Sequence, residues 1–192
     1  MKVTKAQAQA NRAHIVETAS GLFRERGYDG VGVADLMAAA GFTHGGFYKH
    51  FGSKADLMAE AATCGLEQTL AMRADLDFAQ FIRRYLSREH RDTPGQGCTL
   101  AALCSDAARQ PASVKAAFAQ GIEHMLAASA PQDANEDERD QQERRAGTIN
   151  AMAHALGAII LSRACPDDSP LAAEILDACR AHLLATAPSS AD

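Results

Sequence analysis

The chain has 192 residues, 47% of them apolar, with a net charge of −5 and an isoelectric point near 5.8. That is enough chain for one or two domains with a sizeable core. No apolar run reaches the roughly 18 residues needed to span a membrane, and the polar N-terminus lacks the apolar core of a signal peptide. A cytoplasmic protein is expected. Ala and Leu are frequent while aromatic and β-branched residues are few, which favours an all-helical fold. Charge is unevenly spread. Residues 1–55 hold seven Lys/Arg against four acids, whereas the rest hold twelve against twenty. A mildly basic head therefore precedes an acidic body.

In chain order, residues 1–11 read as a flexible basic arm carrying Lys2 and Lys5. Residues 12–26 form a first helix with Ile15, Ala19, Leu22, Phe23 and Arg26 at helical spacing, ended by Gly27. Residues 33–40 form a second helix that buries Val33, Leu36, Met37 and Ala40. Then comes the stretch GFTHGGFYKHFGSK, residues 41–54. Gly41 supplies a positive-φ corner, and the Thr43 hydroxyl is placed to cap the next helix on the Gly46 N–H. Phe47 and Phe51 point inward, which leaves His44, Tyr48, Lys49 and His50 outside. Two short helices joined by a Gly-containing turn make a helix-turn-helix. A short helix with a Tyr, a Lys and two His outside suits an anionic partner, and the expectation is DNA.

Ser53 opens a fourth helix through an S-x-x-D capping pattern, and it runs to about residue 74. A fifth helix covers 78–90, a loop 90–97, a sixth helix 98–109 and a seventh from Pro111 to about 129. The polar run 130–143 reads as a solvated loop entering an exposed helix start. Two apolar helices, about 144–164 and 171–186, end the chain, followed by a disordered PSSAD tail. The expected fold is all-α with about nine helices. A three-helix head, residues 1–52, precedes a ligand-binding and dimerisation body, residues 53–192.

The residues Leu22-Phe23, Gly27-Tyr28, Asp35-Leu36, Ala39-Ala40-Gly41, Gly45, Phe47-Tyr48, Phe51 and Ser53-Lys54 with Leu57 resemble the TetR/AcrR family of transcriptional regulators over about residues 12–60. The run THGGFYKHF and the segment Gly97-Cys98-Thr99-Leu100-Ala101-Ala102-Leu103 resemble one subgroup of that family. The resemblance implies a homodimer paired through its last two helices. It also implies a palindromic double-stranded DNA operator and release of DNA on binding a small molecule. Onto this sequence it carries DNA contact at Thr43, His44, Gly45, Gly46, Tyr48, Lys49, His50 and Lys54. Two of these depart from the family pattern: His44 stands in place of a common Lys, and Gly46 in place of Thr, Ser or Ala. Gly32 takes the place of a usual capping Ser or Thr.

Phe81, Tyr85, Leu103, Phe118, Ile122, Met125, Met152 and His154 are the candidate lining of an effector pocket, mostly apolar with few polar groups. Cys98 follows a Gly-containing loop at a helix start, where the dipole favours a thiolate. An oxidant- or electrophile-sensing repressor is therefore an alternative. A second alternative is a helical small-molecule-binding or catalytic protein without DNA affinity. Five cysteines without a C-x-x-C, seven scattered His, and the absence of Walker, dinucleotide or nucleophile-elbow patterns favour no metal, no cofactor and no enzymatic activity.

Overall fold

The computed structural model describes residues 4–129 and 137–186. The tail PSSAD and the first seven residues of the polar run lie outside them. Among the described residues the secondary structure is helical throughout, with nine α-helices and two 3-10 helices. They form two compact units, one of residues up to Thr69 with Pro94–Gly121, the other of Leu70–Thr93 with residues from Ile122 on. The expected boundary at 52/53 falls inside the first of these units, which takes in most of the fourth helix and the sixth.

The first unit begins with α1 (Lys5–Arg26). The Thr4 hydroxyl caps it by accepting from the Gln7 N–H at 3.2 Å. The expected arm is therefore helix from Lys5 onward, and the helix starts seven residues earlier than the apolar spacing alone indicates. Gly27 ends it at φ 73°. The buried stripe is Ile15, Val16, Ala19, Ser20, Phe23 and Arg24, while Leu22 is half-buried and Arg26 exposed. Burial of Arg24 is the reason the stripe turns. Its guanidinium donates to Ser20 Oγ (2.8 Å), the Gly95 carbonyl (3.0 Å), Gln68 Oε1 (3.3 Å) and Thr99 Oγ1 (3.4 Å). Gly65 makes the room, since a Cβ there would lie 2.5 Å from Arg24 Nη1.

Next come α2 (Val33–Ala39), the 3-10 helix His44–Lys49 and α3 (Lys54–Ala71). The Ser53 hydroxyl accepts from the Asp56 N–H at 3.2 Å, as its capping pattern predicts. The 3-10 helix Pro94–Gln96, α6 (Thr99–Ala107) and the first part of α7 (Ala112–Ser129) complete the unit. Phe23, Tyr28, Leu36, Met37, Phe47, Leu57, Leu100 and Leu103 are fully or almost fully buried there.

The second unit contains α4 (Phe78–Tyr85), α5 (Arg88–Asp92), the end of α7, α8 (Glu138–Arg163) and α9 (Pro170–Ala185). The single helix expected over 78–90 is two. The chain leaves helical geometry at Leu86 (ψ 53°), and the Ser87 hydroxyl caps α5 by accepting from the His90 N–H at 3.2 Å. Arginines from the last two helices take up carbonyls around the break. Arg180 donates to the Leu86 carbonyl at 2.8 Å, and Arg163 to those of His90 (2.7 Å) and Arg91 (2.9 Å). In return the buried Arg91 donates to the carbonyls of Ser162 (3.2 Å) and Cys165 (3.1 Å) at the end of α8. α8 starts at Glu138, capped by Asp137, so the second half of the polar run is an exposed first turn and a half of helix.

Candidate nucleic-acid interface

The segment from Gly41 to Lys54 builds the site. Gly41 adopts φ 78°, the left-handed corner expected of it. The following helix winds as 3-10, not α. This displaces the expected cap. The Gly46 N–H donates to the backbone carbonyl of Thr43 at 2.9 Å, which leaves the Thr43 hydroxyl with no capping bond and exposed. Phe47 is buried, with Phe51 packed beside it at 5.5 Å between ring centres. These two anchors turn the opposite face outward. His44, Gly45, Tyr48 and Lys49 are exposed, and Tyr48 reaches 71% exposure for want of a covering neighbour. Gly46 is half-buried, 3.6 Å (from an added Cβ) below Met37 Cε.

His50 and Lys54 are placed differently from the rest. The His50 ring is half-buried, 6.3 Å from both Phe42 and Phe51. His14 of α1 also meets Phe42, at 6.4 Å, so two imidazoles contact one phenyl ring. Lys54 turns inward. Its ammonium donates to the Tyr28 carbonyl at 2.6 Å and lies 5.9 Å from the centre of the Phe23 ring. The candidate contact surface therefore narrows to Thr43, His44, Gly45, Gly46, Tyr48 and Lys49, with His50 at its edge.

Arg12, counted in the sequence only as a charge, anchors this surface. Both of its Nη atoms donate to the Glu60 carboxylate, its Nε donates to the His50 carbonyl at 3.2 Å, and its guanidinium lies 4.7 Å over Phe51. One side chain thus ties α1 and α3 to the exit of the recognition helix. No motif marks it, because its partners are 38 and 48 residues away.

Residues 15–61 match the family described as bacterial regulatory proteins, tetR family. Over those residues the head is similar to the helix-turn-helix domain of that family. The chain is 40% identical over 57 residues to the HTH-type transcriptional regulator AcrR of Shigella flexneri, covering 30% of this chain and 26% of that one. It is 33% identical over 95 residues to the HTH-type transcriptional repressor DhaR of Mycobacterium sp. (strain GP1), covering 46% and 48%. The chain thus spans about a quarter to a half of the length of these curated relatives. The crystal structure of reduced Escherichia coli NemR superposes with a TM-score of 0.68 at 18% identity, covering 95% of this chain and 100% of NemR. That likeness concerns the fold alone.

Outside the TetR-type head, the eight expected pocket residues fall into two groups. Leu103 and Phe118 are buried in the core of the first unit, whereas Phe81, Tyr85, Ile122, Met125, Met152 and His154 belong to the second. His154 stacks on His182 of α9, ring centres 5.2 Å apart. Cys98 is the N-cap of α6, as its position predicts, but it is only 4% exposed. The exposure on which the redox alternative rests is not there: Cys98 and its chain neighbours Gly97, Thr99 and Leu100 are all buried. Burial, then the neighbouring Cys98, push the Cys104 thiol up to about 11. No helix among the described residues is long and apolar enough to cross a membrane.

Proposed function

We propose that this protein is a homodimeric transcriptional repressor that binds a palindromic DNA operator and releases it when a small molecule occupies the second unit. The observation that carries the reading is the recognition helix of a TetR-type head, anchored by buried Phe47 and presenting Tyr48, Lys49, His44 and Thr43 to solvent. Such a helix fits the major groove, where phosphate contacts position it and side chains read base edges. DNA contact is assigned to residues 1–52, and effector binding and pairing to residues 53–192. The THGGFYKHF helix and the segment from Gly97 to Leu103 support membership of the subgroup that carries both.

Pairing is assigned to α8 and α9. These helices pack on each other, with Ser162 Oγ donating to the Ala172 carbonyl at 2.8 Å, and still leave Ile149, Ile160, Leu161 and Leu171 between 41% and 59% exposed. A second copy would cover that apolar surface. A two-fold dimer then presents two recognition helices to half-sites about 34–36 Å apart, or a multiple of that. The effector lowers DNA affinity by its preference for the state with the wrong spacing.

The test is fluorescence anisotropy with DNA from upstream of the protein's own gene, titrated across a salt series. A specific complex whose log affinity falls linearly with log salt is expected. Absence of a specific complex at low salt overturns the reading.

A further inference from the structure

Arg73 lies in the turn that follows α3. One of its Nη atoms donates to Ser129 Oγ at the end of α7, and Ser129 in turn donates to the Met125 carbonyl at 2.5 Å. Its guanidinium carbon stands 5.1 Å from the centre of the Phe81 ring. Phe81 and Tyr85, one turn apart on α4, are 5.3 Å apart, and the His90 ring continues the row 4.5 Å from Tyr85. All these residues belong to the second unit.

The charge of Arg73 has no answer among the described residues. Eight other arginines pair with a carboxylate: Arg12, Arg26, Arg88, Arg91, Arg109, Arg139, Arg145 and Arg180. Buried Arg24 lacks one but has four neutral acceptors. Arg73 is half-buried, and among the described residues the Ser129 hydroxyl is its guanidinium's one hydrogen-bond acceptor. Burial lowers its pKa, the sign of a cation that has lost water without gaining an anion. Asp77, the N-cap of α4, is engaged by that helix, accepting from the Gln80 N–H at 2.7 Å. A guanidinium fork with unused donors, standing over the Phe81 ring, matches a planar acid group attached to a ring. A chain of net charge −5 repels anions in general, so binding one requires a local cation of this kind.

We propose that the second unit binds an aryl carboxylate or similar organic anion, with its ring against Phe81 and Tyr85 and its acid group on Arg73. This names the chemical class of the effector and rests on the reading that the second unit holds one.

The full-length protein is titrated with anilinonaphthalene sulfonate and with uncharged N-phenylnaphthylamine, followed by fluorescence. Phenylacetate and phenylethanol are the competitors. In the wild type, phenylacetate should displace the sulfonate at about tenfold lower concentration than phenylethanol, the preference of one charge-assisted fork. Equal displacement overturns the proposal without recourse to any variant. Arg73→Gln, checked for folding by circular dichroism, should weaken the sulfonate about tenfold and leave the amine within about twofold, and Arg73→Lys should fall between. Unchanged sulfonate affinity in Arg73→Gln also overturns it. Anisotropy of the DNA complex separates the two readings. Phenylacetate bound through Arg73 that leaves DNA in place upholds the site and removes the effector role. Release by phenylethanol, equal in wild type and Arg73→Gln, upholds the effector role and overturns the site.

Discussion

The ammonium of Lys54 donates to the carbonyl of Tyr28 at 2.6 Å, bolting the start of α3 to the turn between α1 and α2. This gives Lys54 a structural task that Lys49, exposed on the recognition helix, does not have. Lys54→Met is expected to lower stability by about 1.5–3 kcal/mol, the range for a hydrogen bond with one charged partner. It should leave the slope of log DNA affinity against log salt unchanged. Lys49→Met is expected to leave stability alone and reduce that slope by about one. Urea denaturation and a salt series of anisotropy titrations measure both. A slope lowered equally by the two variants would show that Lys54 leaves Tyr28 for a phosphate in the complex.

Arg12 and Glu60 are suited to a double-mutant cycle. Each side chain is more than a third exposed, so their pairing should contribute only about 0.2–1 kcal/mol. Arg12→Met should cost more than Glu60→Met, because it also frees the His50 carbonyl and uncovers Phe51. DNA affinity should fall with Arg12→Met even where the head remains folded, as the exit of the recognition helix is no longer held. Equal stability losses for the two single variants would argue against this.

The thiols should react very unequally. The Cys104 thiol, at about 11, carries about a hundredfold less thiolate at pH 8 than one at its ordinary 9.0. Native iodoacetamide labelling followed by mass spectrometry should find Cys104 slow, and Cys98 slow through burial. The half-buried Cys165 and Cys179 should react first. The folded value of Cys104 lies above its unfolded one. Its protonated form therefore contributes stability that is complete below about pH 9 and lost as pH rises through about 11. Rapid labelling of Cys98 would reopen the thiol-sensing alternative.

His90 sets an acid limit for the second unit. Burial, and then the charges of Arg163 and Arg84, hold its imidazole below the ordinary 6.5, while Nδ1 stands 2.7 Å from the Tyr85 carbonyl. The folded value lies below the unfolded one, so the stability of the neutral form is complete above about 6.5 and lost as pH falls through the folded value. Urea midpoints should begin to drop as pH falls below about 6.5, above the range in which most carboxylates titrate. His90→Gln should flatten that part of the profile whatever its own stability.

What the sequence made legible was local. Gly27 and Gly41 end helices with positive φ, the Ser53 cap forms, and Phe47 and Phe51 turn inward because each depends on neighbours within a few positions. Longer-range contacts were invisible. The break at Leu86 rests on Arg180, 94 residues away, and nothing near residue 86 announces it. Cys98 was correctly placed at a helix start, but its burial depends on packing across the whole unit. The cap at Thr43 went astray for a subtler reason. A 3-10 turn uses the Gly46 N–H on the Thr43 carbonyl, and winding is not read from composition. Arg73 lies at the end of the fourth helix, and no local pattern announces its partner Ser129, 56 residues away.

The 3-10 winding of the recognition helix also bears on how its specificity could be rewritten. With three residues per turn, side chains three apart eclipse, so Tyr48 stands above Gly45 and Lys49 above Gly46. Neither glycine has a positive φ, and a Cβ added at Gly45 meets nothing within 4 Å, while one at Gly46 makes only ordinary contacts at 3.6 and 3.8 Å. Each row thus carries one long side chain and one position where a Cβ fits without moving the backbone, openly at Gly45 and in ordinary contact with Met37 and Thr43 at Gly46. A handful of substitutions at 45 and 46 would give the head a larger vocabulary of base contacts and leave its framework as it stands, making this pair the natural place to retarget the protein to another operator.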